Sequence, residues 1–172
     1  VLSQDLRVLI AADMGYPEPI DTLYHKDEEF TQEPLFWSQF ARLLKQEPVE
    51  YILNQCKFLD HKLYVDPRVL IPRMETEELI ANITERIHSY FDPRNYLVVV
   101  DVGTGSGCIA IALKGIFKNW LVSANDISPD ALEVAKKNAA TYHSPIRFFQ
   151  GSALEPYIQE NMAVDIIVSN PP

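Results

Sequence analysis

Cysteine is nearly absent. Cys56 and Cys108 lie far apart, and neither belongs to a Cys-x-x-Cys pair or a cysteine–histidine cluster. That excludes a disulfide framework and a thiolate metal site, and makes a reduced, metal-free, cytoplasmic protein the expectation. No apolar run approaches the roughly 20 residues of a membrane span. No signal-peptide pattern opens the chain, which begins on Val1. Basic charge is scarce as well: 15 Lys and Arg stand against 24 Asp and Glu, for a formal net charge of −9. The longest basic run is Lys136-Lys137. Phosphate-backbone binding depends on clustered Lys and Arg, so direct nucleic-acid binding is not expected, and an acidic surface suits a basic protein partner. His25, His61, His88 and His143 are scattered and read as surface or loop residues.

Glycine is rationed too, with six in 172 residues, yet three of them fall at 103, 105 and 107. They follow Val98-Val99-Val100-Asp101-Val102, an apolar β-branched run that predicts a buried parallel strand. Glycines there permit torsions closed to other residues and let a ligand approach the main chain. A helix is expected to begin near Gly107, with free N–H groups at its start. A second strand, Trp120 to Ala124, ends at Asn125-Asp126. An acid at that position can accept hydrogen bonds from both hydroxyls of a ribose. Strand, glycine loop, helix, strand and acid form a nucleoside-cofactor half-site. The dinucleotide fingerprint would need glycine at position 108, where Cys108 stands. Asp101, two residues before the first glycine, favours a cation-bearing cofactor over a dianionic one, although an acid at a strand end can also cap its own loop.

The chain closes on Ser169-Asn170-Pro171-Pro172 after the run Val164 to Val168. Proline has no N–H, so this strand exit offers a side-chain carboxamide and carbonyls, a surface of acceptors. It suits a ligand presenting an NH₂ group, although prolines also simply end strands.

Asp-x-Gly-x-Gly-x-Gly followed by Asn-Pro-Pro resembles the class I methyltransferases that modify amino groups. Leu70-Ile71-Pro72-Arg73-Met74-Glu75-Thr76-Glu77 resembles a segment of the peptide chain release factor glutamine N5-methyltransferases. Glu47-Pro48-Val49-Glu50-Tyr51-Ile52, then Lys57-Phe58 and Leu63-Tyr64-Val65, resembles that family's inter-domain hairpin. The resemblance implies S-adenosylmethionine as cofactor, held by Asp101, Gly103, Thr104, Gly105, Ser106, Gly107, Asp126, Ser152 and Asn170. It implies Asn170 and Pro171 as catalytic residues, accepting the two N–H bonds of a glutamine amide while its nitrogen attacks the methyl group. Pro172 and Arg73 join them in binding substrate, and Arg73 and Glu77 are expected to wall the cofactor pocket. The implied substrate is a release factor, at the glutamine of its Gly-Gly-Gln motif, met by a monomeric enzyme. Ser152 stands where the family carries an aspartate that contacts adenine; Ser152 and Leu154 are either adenine contacts or plain loop. The family continues past Asn-Pro-Pro with an aromatic residue and further strands, and begins with an additional helix, so this chain is expected to be trimmed at both ends. Amino-group methylation of DNA or RNA is the alternative, and a nicotinamide oxidoreductase or nucleotide-binding module stands behind it.

The expected fold is α/β, with a helical domain over residues 1–55 for substrate recognition and a hairpin linker over 56–73. A Rossmann-like methyltransferase sheet, incomplete at the C-terminus, follows over 74–172. Leu6, Leu9, Ile10 and Met14 predict a first helix ended by Gly15 and Pro17, and residues 18–33 read as loop or short helix. Pro34 opens a second helix with a buried stripe at Phe36, Phe40, Leu43 and Leu44. After Pro48 the pattern turns to alternation at Phe58, Leu63 and Val65, which predicts a hairpin about Asp60-His61, and a helix is expected over 75–90. Glu75 and Glu78 there complement the helix dipole. Strands at 97–102, 120–125, 146–150 and 164–169 and helices at 107–117 and 129–141 complete a doubly wound sheet. Its first and last strands should be neighbours.

Overall fold

The computed structural model describes residues 3–25, 34–92 and 94–171. The chain forms two compact units, Val1–Gln55 and Cys56–Pro172. The residues expected as a linker are counted with the second.

The first unit is helical. α1 (Gln4–Met14) is capped by Ser3, whose Oγ accepts the Leu6 N–H at 3.2 Å, and Gly15 ends it in the left-handed conformation at φ 72°. A 3₁₀ turn follows at Pro19–Leu23, and α2 spans Pro34–Leu44; residues 26–33 lie outside the described residues. Leu9, Phe36, Val49 and Ile52 form the small core, with Phe40 and Leu43 against it. Leu44, expected in the stripe, is 70% exposed, because one residue past Leu43 turns it about 100° off the buried face. Between Pro48 and the hairpin lies a short helix that the sequence reading did not signal, α3 (Val49–Leu53). The Pro48 carbonyl accepts the Tyr51 and Ile52 N–H groups, and Asn54 closes the helix at φ 53°. Arg42 donates to the carbonyls of Tyr51 and Ile52 while paired with Glu47. Those partners outweigh the β-branched composition of the stretch.

The second unit opens with an antiparallel hairpin, β1 (Cys56–Phe58) and β2 (His61–Leu63), paired Cys56↔Leu63 to Phe58↔His61. α4 spans Met74–Arg86 and runs into a 3₁₀ turn at Ile87–Ser89. The parallel sheet then alternates with helices: β3 (Val98–Val102), α5 (Cys108–Ile116), β4 (Leu121–Asp126), α6 (Pro129–Thr141), β5 (Arg147–Gln150), α7 (Glu155–Gln159) and β6 (Ile166–Ser169). Periodicity did not signal α7; Pro156 in its first turn starts it and Tyr157 anchors it at 2% exposure. Strand order is β5-β4-β3-β6, so β3 and β6 are neighbours, as expected, and β6 is an edge of this sheet. The core joins Val99, Val122 and Val168 of the sheet to Ile109, Leu113 and Trp120, with Ile80 from α4 and Phe58 and Leu63 from the hairpin. Among the described residues, no helix is long and apolar enough to cross a membrane.

The hairpin and its exit are fastened to α6. Asn138, 1% exposed, accepts the Tyr64 N–H and donates to the Tyr64 carbonyl, and Tyr142 does the same for Lys62. Asp66 takes the Arg68 guanidinium and the Tyr64 hydroxyl, which hold its carboxyl down at about 2 against burial, and Arg68 reaches on to Glu133 of α6.

Candidate active site

β3 and β6 run parallel in the register Val102↔Ser169, about 4.8 Å apart. The Ser169 hydroxyl donates to the Val102 carbonyl at 2.8 Å, locking the two strand ends together. The next residues are Gly103 on one strand and Asn170 on the other, so the glycine loop and the Asn-Pro segment leave the same edge side by side. Parallel crossovers bring these distant segments together, at the strand ends where such sheets bind ligands.

The loop after β3 is built around Asp101, which is fully buried. Its Oδ2 accepts the Thr104 hydroxyl at 2.6 Å and the Ala110 N–H at 3.2 Å. Its Oδ1 has no hydrogen-bond partner among the described residues. Burial pushes this carboxyl up to about 6, against the pull of those two bonds and with a further push from Asp126. An unpaired buried carboxylate oxygen is costly.

Gly103 and Gly105 adopt φ 70° and 54°, and a Cβ on either would meet no atom within 4 Å. Open space lies over both, as a cradle for a ligand requires. Gly107 differs: at φ 83°, its Cβ would lie 3.2 Å from Ala135 Cβ, so this glycine lets α5 start close against α6. Thr104 and Ser106 are buried, with the Thr104 side chain spent on Asp101 and the Ser106 carbonyl held by Asn138 Nδ2. Both are thus turned into the protein.

Asp126 at the end of β4 accepts the Gly105 N–H on Oδ2 at 2.9 Å and the Ser128 N–H on Oδ1 at 3.0 Å. Each oxygen keeps a second lone pair, so the acid that sets the loop can still accept from a diol. Its neighbour Asn125 is 1% exposed and donates to the carbonyls of Gly151 and Ala153, which fastens the loop after β5. That loop carries Ser152, exposed, and Leu154, half-buried. Burial, aided by Asp101, pushes the Cys108 thiol up to about 12, which removes it as a nucleophile.

Asn170 and Pro171 are exposed, and Pro172 lies outside the described residues. Asn170 Nδ2 donates to Thr76 Oγ1 of α4 at 2.8 Å. Arg73 is exposed just before α4, and its carbonyl accepts the Thr76 N–H at 3.0 Å. Glu77, expected with Arg73 to wall the pocket, accepts the Leu59 N–H in the hairpin turn at 2.8 Å. A turn residue at φ 49° leaves a donor that needs this partner.

Sequence reading passed over Thr76, Asn125 and Asn138. A signal existed for two of them. Thr76 shares a helix face with the buried Ile80, and Asn138 falls three and four residues after Ala135 and Val134 on an apolar stripe. A polar residue on such a stripe has a buried partner to serve. No group of three or more His, Cys, Asp or Glu able to hold a metal ion occurs among the described residues.

The methyltransferase small domain family matches residues 78–172, more than half of the chain. The chain is 41% identical over 152 residues to a release factor glutamine methyltransferase of Enterococcus faecalis, covering 87% of this chain and 52% of that protein. It is 47% identical over 125 residues to the protein of that name from Bacillus subtilis, covering 73% of this chain and 43% of that one. The chain thus spans about half the length of these curated relatives. In fold it is similar to the N-terminal domain of human METTL16 in complex with SAH, with a TM-score of 0.52, 17% identity, and coverage of 86% of this chain and 69% of that one. The parallel sheet with its paired strand ends and the family match agree: this chain belongs to the methyltransferase small domain family.

Proposed function

We propose that the protein transfers a methyl group from S-adenosylmethionine to the side-chain amide nitrogen of a glutamine in a protein, a release factor being the substrate. The observation that carries this reading is the Val102↔Ser169 register, which sets a cradle of open glycines beside a carboxamide and a proline carbonyl. Gly103 and Gly105 would lie under the amino-acid end of the cofactor, Asp101 would answer its ammonium, and Asp126 would accept from its ribose. Ser152 and Leu154 are the residues on hand for the adenine. S-adenosylmethionine, when bound, supplies an electrophilic methyl group on a sulfonium.

The protein's own part is to hold the acceptor. A glutamine amide nitrogen is a weak nucleophile because its lone pair is delocalised into the carbonyl. Asn170 Oδ1 and the Pro171 carbonyl would accept its two N–H bonds, fix its orientation and stabilise the positive charge that grows on nitrogen. Arg73 and Pro172 remain assigned to substrate contact. No strong base is needed at this edge, since acceptors that tighten as charge develops favour the transition state over bound substrate.

The net charge of −9 and the names of the relatives both support a protein substrate over a nucleic acid. Release factors act on ribosomes, which is what locates the reading in the cytoplasm, and a monomer suffices because both halves of the site come from one chain. Helices α1 to α3 are assigned to substrate recognition on the same reading. The test is a labelled methyl-transfer assay with the full-length natural protein, a release factor, and RNA or DNA as parallel acceptors. Mass mapping of label to a single glutamine supports the reading; label on nucleic acid alone overturns it.

A further inference from the structure

Asn170 is an ambiguous group for the task given to it. Its side chain carries an acceptor oxygen and a donor NH₂ of nearly equal size, and rotation about χ2 exchanges them at little cost. An amide substrate presents N–H donors, so one orientation welcomes it and the other opposes donor to donor. Nothing in the Asn-Pro segment itself selects one orientation.

We infer that Thr76 makes that choice: its hydroxyl oxygen, by accepting the Asn170 Nδ2–H, turns the carboxamide oxygen toward the acceptor amide and so acts as a positioning residue for methyl transfer. The 2.8 Å bond is the observation behind it, reaching across 94 positions of sequence. Thr76 is fitted to the role. It is 3% exposed, so packing confines its side chain, and it sits in the first turn of α4 with its own N–H held by the Arg73 carbonyl. The anchor is therefore rigid and the anchored group is not. The inference rests on the proposed role of Asn170 and says which of its two polar ends faces the substrate.

Thr76→Val keeps the shape and deletes the oxygen, whereas Thr76→Ser keeps the oxygen. In the full-length protein we expect Thr76→Val to lower kcat by about 10–100-fold, the scale of a lost orientation. Cofactor affinity by calorimetry and the melting temperature should stay near wild type, and Thr76→Ser should recover most of the rate. In the Asn170→Ala background, Thr76→Val should cost nothing further. A Thr76→Val enzyme with wild-type kcat beside an inactive Asn170→Ala enzyme would overturn the positioning role and leave the glutamine reading standing. An Asn170→Ala enzyme with wild-type kcat would overturn both. Should Thr76→Val not fold, the wild-type Asn170 side-chain NH₂ signals decide by NMR. One slowly exchanging proton that becomes fast in a folded Thr76→Ala or Thr76→Gly protein supports the bond; two protons exchanging as in free asparagine overturn it.

Discussion

The two strand ends that meet at the head of the sheet are built in opposite ways. The exit of β3 offers open glycine backbone and is braced from inside the protein, by the Asn125 carbonyl on the Gly103 and Thr104 N–H groups, Asp101 on Thr104 and Ala110, Asp126 on Gly105, and Asn138 on Ser106. The exit of β6 presents acceptors, stands exposed, and is aimed by a bond from a helix far away in sequence. A cradle can support itself, because a loop folds back on the carboxylate of its own strand. A group that must face a reacting atom has to be aimed from elsewhere, since nothing in an Asn-Pro segment selects one end of an amide. The difference predicts that damage to the first exit shows as lost stability or cofactor affinity, and damage to the second as lost turnover.

Asn170→Ala should break the comparison most visibly. Turnover should fall by about 10²–10³-fold, as when one oriented partner of a developing charge is removed, with cofactor affinity unchanged. An unaltered single-turnover rate constant would mean that the two exits do not divide the work this way.

Next in size is Asn138→Ala, which strips partners from the Ser106 carbonyl and from both Tyr64 backbone groups. Unfolding free energy should drop by about 2–4 kcal/mol, from buried groups left unsatisfied and a cavity. Urea denaturation measures it, and a loss no larger than that of a surface substitution would show that α6 does not brace the glycine loop.

Asp101→Asn sharpens the electrostatic side. Because burial raises the Asp101 carboxyl to about 6, the folded protein binds that proton more tightly than the unfolded chain. Stability contributed by this group is therefore full at low pH and falls as pH rises from the ordinary carboxyl range through about 6, by roughly 3 kcal/mol. The asparagine form can keep the Thr104 and Ala110 bonds without a buried charge. Without cofactor it should be the more stable protein at neutral pH, with that pH dependence gone and its cofactor affinity reduced. Parallel wild-type and variant stability curves across this range would contradict the assignment.

The smallest expected effects distinguish two glycines. Alanine at 103 or 107 should cost about 1–2 kcal/mol from the left-handed backbone alone. Gly103→Ala adds a methyl in open space over the loop and should mainly weaken cofactor binding. Gly107→Ala meets Ala135 at 3.2 Å and should mainly lower the melting temperature. Equal effects on both measurements would merge what the geometry separates.

Much of this was legible beforehand for identifiable reasons. The β-branched run at 98–102, the glycines at 103, 105 and 107, and Ser128-Pro129 are local signals, and each formed what local chemistry favours. Helix α3 went unsignalled. Pro48, Asn54 and the reach of Arg42 decide it, and a guanidinium arriving from nine and ten residues upstream is not a local signal. The bond from Glu77 to the turn at Leu59 joins residues 18 apart and had no local signal. Thr104 and Ser106 were read from motif position alone, which does not tell an outward side chain from one turned into the core.

Residue types and their spacing determined which chemistry this protein could hold: a run of positive-φ glycines ahead of a helix, an acid at the next strand end, and an exit without N–H donors. Those follow from backbone sterics and covalent structure, which act over a few residues. Tertiary structure decided which polar groups are spent and which remain free to act. Asp101 keeps one bare oxygen, Asn125 and Asn138 tie loops down, and Thr76 turns the amide of Asn170, because hydrogen bonds between distant segments exist only after parallel strands and packed helices have brought them within 3 Å of each other.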